Sequence, residues 1–181
     1  LDAIRELLPT LGTIRRVQLS YQKRSARYDP IVYLFKEKDT YYWFDKTYIP
    51  EETVKNSGND IYMKAIASGH LIQTPGETID QDMIRKVVAE DSRQVRIQKG
   101  AYDPWNAIEL GQALAKERIN MLEFRMNVQN LSEATKRLDV LIRNQKIIHN
   151  GSPLLRWCLG NVVCKRDHVD NVFPRKNHER L

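Results

Sequence analysis

One stretch combines residue types and spacing that can do chemistry: Gly100-Ala101-Tyr102-Asp103-Pro104-Trp105-Asn106-Ala107. Residues 95–102 are a strand candidate, weakened by Gly100, and a helical pattern follows, so Asp103 falls at a strand-to-helix junction. Ligands of α/β proteins gather at the carboxyl ends of sheet strands. A hard cation such as Mg²⁺ takes oxygen ligands, and one or two carboxylates plus substrate phosphates suffice to hold it. The same residue also has a structural role available. Asp before Pro is a strong helix N-cap, with Pro at the first helical position. The two roles are compatible, and Trp105 and Asn106 are either a wall of a site or the first helical turn. Other chemistries are absent. No glycine is followed by lysine, so there is no Gly-Lys-Ser/Thr phosphate loop. Gly-x-Gly-x-x-Gly and Gly-x-Ser-x-Gly are also missing.

The elements that must position Asp103 follow from composition and period. The sequence has 181 residues, 41% hydrophobic and 29% charged, a size that fits one domain. No apolar run approaches the roughly 20 residues of a membrane-spanning helix. Two cysteines, Cys158 and Cys164, make neither a disulfide framework nor a zinc motif and read as reduced and buried. The net charge is +6. Arg15, Arg16, Lys23, Arg24 and Arg27 stand together without an acid, and Lys165, Arg166, Arg175 and Lys176 enrich the end of the chain. These are candidate phosphate-binding surfaces, Lys23, Arg24, Arg27, Lys165 and Arg166 foremost, or simply solvated loops.

Residues 1–14 space Leu1, Ile4, Leu7, Leu8 and Leu11 like a short helix broken at Pro9. Strands are expected at 16–21, 31–36 and 40–49, the last two joined by a turn at Glu37–Asp39. A short helix covers 60–67, ended by Gly69. Thr78 and Gln81 form a capping box for a helix reaching about residue 92. Further strands are expected within 95–102, at 119–124 and at 161–165. Helices are expected from Pro104, over 132–145 with Ala134, Leu138, Leu141 and Ile142 as its apolar face, and near 153–159. The tail from Arg166 reads as loop. Three strands in succession, followed by strands alternating with helices, describe a mixed α/β sheet flanked by helices. A ribonuclease-H-like fold, an antiparallel meander followed by βα units, has this order.

Several fragments, in order, resemble tailed-phage terminase large subunits. Tyr102-Asp103-Pro104-Trp105-Asn106-Ala107 is similar to that family's Tyr-Asp-Pro-Trp-Asn-Ala segment. Tyr48-Ile49-Pro50-Glu51-Glu52-Thr53 resembles the segment after its third nuclease strand, and Thr74-Pro75-Gly76-Glu77-Thr78-Ile79-Asp80 its Thr-Pro-Gly turn. Leu131-Ser132-Glu133-Ala134-Thr135-Lys136, His149-Asn150-Gly151-Ser152-Pro153 and Asn161-Val162-Val163 follow in the same order. The resemblance covers residues 31–178 and only the nuclease half of the family, in agreement with the missing phosphate loop.

The resemblance implies a ribonuclease-H-like endonuclease that cuts concatemeric double-stranded DNA during packaging, with two Mg²⁺ or Mn²⁺ ions held by acids. Asp103 matches the central metal-binding Asp. The family's first strand carries an Asp in a Leu-Asp-Leu-Ser context, where Val17-Gln18-Leu19-Ser20 puts Gln18, whose amide brings no charge. Leu1-Asp2 and Asp29 are weaker counterparts. The last acidic ligand would follow Arg180-Leu181, while Asp167 and Asp170 precede that position and do not match it. The expected organisation is a poorly matched segment 1–28 and a nuclease domain 29–181, shortened at its C-terminus. Implied partners are DNA, a small terminase subunit and the portal, with no membrane, in the cytoplasm of a bacterial host. Two rival readings are an inactive prophage remnant and a non-enzymatic basic DNA-binding module.

Overall fold

The computed structural model describes residues 14–19, as backbone, and 29–176. The helix expected over 1–14, Asp2, and the basic residues Lys23, Arg24 and Arg27 lie outside the described residues. The elements, in order, are β1 (Ile14–Leu19), β2 (Asp29–Glu37), β3 (Thr40–Pro50), α1 (Glu51–Ser57), α2 (Asp60–Ala67), β4 (Leu71–Thr74), α3 (Gln81–Gln94), β5 (Gly100–Tyr102), α4 (Pro104–Lys116), β6 (Met121–Glu123), α5 (Val128–Arg143), β7 (Ile147–His149), α6 (Pro153–Gly160), β8 (Val162–Arg166) and β9 (Val172–Lys176).

The antiparallel meander is present. β2 pairs with β3 from Asp29↔Tyr48 to Glu37↔Thr40, and β1 pairs with β2 from Leu19↔Ile31 to Ile14↔Phe35. Lys38 takes a left-handed φ of 51° in the hairpin turn. β5 then lies parallel to β1, and β6 parallel to β5. The sheet order is β4-β3-β2-β1-β5-β6, with β7 also parallel to β3.

Period-2 burial separates the two faces. Ile31, Tyr33 and Phe35 of β2 join Phe44 and Tyr48 of β3, and Ile84 and Val88 of α3 with Leu110 and Leu114 of α4 cover them. Phe35 and Phe44 meet edge-on at 5.6 Å. The opposite face presents Ile49 to Tyr62 and Ala65 of α2 and Leu154 of α6. One polar clamp crosses the first layer. Lys46 bonds Asp91 of α3 at 2.6 Å, and the Tyr33 hydroxyl donates to the same carboxylate.

Several elements differ from the sequence expectation. Two short strands, β4 and β7, and one helix, α1, were read as connections, because runs of three to seven residues carry too little period to register. Asp80 rather than Thr78 caps α3, accepting from Asp82 N at 2.8 Å and Met83 N at 3.2 Å. α5 begins at Val128, one turn early, because Asn127 caps it through Asn130 N at 2.8 Å. Its face also differs: Ser132 is buried, while Ala134 and Ile142 are exposed. The tail after Arg166 is not all loop. β9 folds back antiparallel on β8, and Val172 N donates to the Ser132 hydroxyl at 3.0 Å, tying this hairpin to α5. Cys158 is half-buried and Cys164 exposed, so the expectation of buried cysteines fails, while neither is in a disulfide. No helix among the described residues is long and apolar enough to cross a membrane.

Candidate active site at the carboxyl edge of the sheet

β1, β5 and β6 run parallel, so their carboxyl ends meet at one edge of the sheet. Asp103 is the first residue beyond β5. Backbone bonds fix its height: Gly100 N donates to Asn120 O at 2.7 Å, and Phe124 N to Tyr102 O at 2.8 Å. Pro104 then starts α4, and Asp103 Oδ1 accepts from Trp105 N at 3.2 Å, so the carboxylate caps the helix. α4 is kinked after its first turn, where Ala107 leaves helical geometry at φ −124°. Its side chain is buried, so the kink anchors the turn carrying Asp103 and Trp105 to the core.

A second junction lies beside the first. After β6, residues 124–127 lead into α5. The Arg125 carbonyl accepts from Asn127 N and from Asn130 Nδ2, both at 2.9 Å, which holds this loop shut. Between the two junctions opens a cleft of about 660 Å³ lined by Asp103, Pro104, Trp105, Arg125, Met126 and Asn127. Trp105 is 77% exposed. Arg125 is exposed and makes no ion pair among the described residues. The amino ends of α4 and α5 both border the cleft, which favours negative charge there. Arg125 and Asn127 have no counterpart among the sequence candidates. The cap at Asn127 was their available signal, and it was obscured by placing the helix start at 132.

Gln18 of β1 lies in register with Ala101 of β5 and Val32 of β2, one strand from Asp103 and two residues short of it. Asp29 begins β2, which is antiparallel to β1, and so stands at this same edge. It is buried, its Oδ1 has no hydrogen-bond partner among the described residues, and burial pushes its pKa from 3.8 to about 7. Lys165 and Arg166 are not on this sheet. They lie exposed on β8, in the separate hairpin, and Arg166 bonds Asp170 at 2.8 Å. Among the described residues, no three His, Cys, Asp or Glu side chains gather as a metal site would need.

The meander, the parallel strands beyond it and the flanking helices define a ribonuclease-H-like domain. The family model of the terminase large subunit endonuclease domain matches residues 22–180, and the chain belongs to that family. Gln18 falls outside the matched span. Protein YmfN of Escherichia coli (strain K12) is 28% identical over 122 residues, 67% of this chain but 27% of that protein. The chain thus spans about a quarter of that relative. The crystal structure of the HK97 bacteriophage large terminase superposes with a TM-score of 0.77 at 20% identity, covering 98% of this chain and 39% of that one. The large terminase nuclease from thermophilic phage G20c gives 0.60 at 9% identity, over 94% of this chain and 87% of that one. At these identities the likeness is one of fold.

Proposed function

We propose that this chain is a DNA-cutting module that hydrolyses phosphodiester bonds of concatemeric double-stranded DNA during phage genome packaging, with Asp103 as its central carboxylate. The observation that carries this reading is Asp103 itself, a carboxylate at the carboxyl edge of the sheet in a chain of an endonuclease family. The nuclease unit proper is taken to begin near residue 29, after a poorly matched segment 1–28. Its setting would be the cytoplasm of a bacterial host, with a small terminase subunit and the portal as partners.

Mg²⁺ or Mn²⁺ would supply a Lewis acid for the phosphate and a bound water of lowered pKa. The described residues do not make a two-cation site by themselves, since Asp103 brings one carboxylate and Gln18 stands where an acid is expected. What Asp103 does as a protein residue is narrower. Its cap bond to Trp105 N orients the carboxylate, and Arg125 across the cleft offsets its repulsion of a phosphate.

That the described residues bring together no group of three metal-ligating side chains favours a second reading, a domain that keeps the fold without cutting. Plasmid cleavage by the 181-residue protein with Mn²⁺, against EDTA and Asp103→Asn, separates them. Asn caps a helix as well as Asp does, so the fold survives while the charge is lost. Cutting that requires both metal and Asp103 supports the nuclease. A folded protein that never cuts under these conditions supports the remnant.

A further inference from the structure

Trp105 is the feature of this edge that neither the fold nor the helix cap explains. Trp is usually well buried, yet this one is 77% exposed and sits in the first turn of α4, where a small polar residue would serve the helix equally well. The other two tryptophans behave as expected. Trp43 has its indole nitrogen buried, and Trp157 packs against the second core cluster. Across the cleft from Trp105 stand Arg125, unpaired among the described residues, and Asn127 at the start of α5.

We propose that this cleft binds one unpaired nucleotide of DNA beside Asp103. The indole of Trp105 stacks on the base, and the Arg125 guanidinium holds the adjoining phosphate. The inference rests on the nuclease reading for its DNA substrate and adds to it a subsite and a substrate state. An exposed indole stacks on any base, because every base has a π-face. In intact duplex those faces are covered by neighbouring bases, so the partner must be at an end, a nick or a frayed step. The charges agree with this occupant. A phosphate entering next to Asp103 meets a carboxylate, and Arg125 with the amino ends of α4 and α5 offsets that repulsion. The volume of about 660 Å³ lies in the range of ligand pockets, roughly 300–1,000 Å³.

The test is binding of a fluorophore-labelled single-stranded oligodeoxynucleotide to the full 181-residue protein in EDTA, where nothing is cut, with intact hairpin duplex as competitor. Single strand is expected to quench Trp fluorescence and to outcompete the duplex. Trp105→Ala should weaken single-strand binding about tenfold and abolish the quench, while Trp105→Phe retains most of the affinity. Arg125→Gln should lower the salt slope of binding by about 0.7, the loss of one phosphate contact on a single strand. Unchanged single-strand affinity in Trp105→Ala, with circular dichroism showing it folded, overturns the proposal even if the parent protein cuts plasmid. Loss of binding in Trp105→Ala beside a parent that never cuts keeps the subsite and removes the nuclease.

Discussion

The ring of Tyr102 fills the space that a side chain at residue 111 would need. A Cβ built on Gly111 would stand 2.5 Å from Tyr102 Cε1 and Cζ. Tyr102 is the last residue of β5 and precedes Asp103, while Gly111 lies two turns into α4. The close approach of helix to strand therefore sets where the carboxylate sits. Gly within a helix costs up to about 1 kcal/mol relative to Ala, so Gly111→Ala would stabilise α4 if there were room. Because the obstacle is an aromatic ring that is itself buried, the clash dominates. Gly111→Ala is expected to destabilise by about 1–3 kcal/mol in urea unfolding. Tyr102→Ala opens the space, so the double variant should lose less stability than the sum of the two single changes.

Asp103 has two separable tasks, and stability distinguishes them from chemistry. Asp103→Ala removes the bond to Trp105 N and should cost about 1 kcal/mol in thermal or urea unfolding. Asp103→Asn keeps a cap and should stay within a few tenths of a kcal/mol of the parent. If the residue acts only as a cap, plasmid cutting will follow stability, and Asn will retain it. If its charge matters, the two variants will be equally inactive despite unequal stability.

The meander was legible because Ile31–Lys36 and Thr40–Ile49 are dense in β-branched and aromatic residues. Asp103-Pro104 was legible because a cap followed by proline has one common meaning. The fragments from Tyr48 to Val163 carried the family. β7 and β4 were not legible, since strands of three or four residues form only against an existing edge, here that of β3. The cleft was illegible for a related reason. Asp103 and Arg125 are 22 positions apart, and only the parallel pairing of β5 with β6 makes them neighbours. Burial of Asp29 was also hidden, because a sequence shows a carboxylate before Pro30 but not the layer that covers it.

Asp29 should make the protein less stable as pH rises through the mildly acidic range. Burial raises its pKa from 3.8 to about 7. Between these values the folded protein keeps a proton that the unfolded chain has released. Stability therefore falls with rising pH by about 1.4 kcal/mol per unit for this group and levels off above about 7. Asp29→Asn keeps the shape and removes the ionisation. The variant should match the parent near pH 4 and exceed it increasingly toward pH 7.5, by up to about 4 kcal/mol. Urea unfolding of both proteins across this range is the measurement, and parallel profiles would count against a neutral buried Asp29.

The β8–β9 hairpin is expected to be the first part of the described structure to open. It forms its own two-stranded sheet, and β8 is largely exposed. Val172 is buried against α5, and its N–H donates to the Ser132 hydroxyl at 3.0 Å. Ser132→Ala leaves that buried N–H unpaired, at about 1–3 kcal/mol. Since the hairpin is a sheet of its own that packs on α5 through β9, the loss should appear locally rather than across the domain. Hydrogen exchange of amides 162–166 and of Val172, Phe173, Arg175 and Lys176 should accelerate about 5- to 150-fold in Ser132→Ala. Amides of β2 and β3 should exchange at the parent rate. Uniform acceleration across the sheet would instead mean that the hairpin and the sheet unfold as one unit.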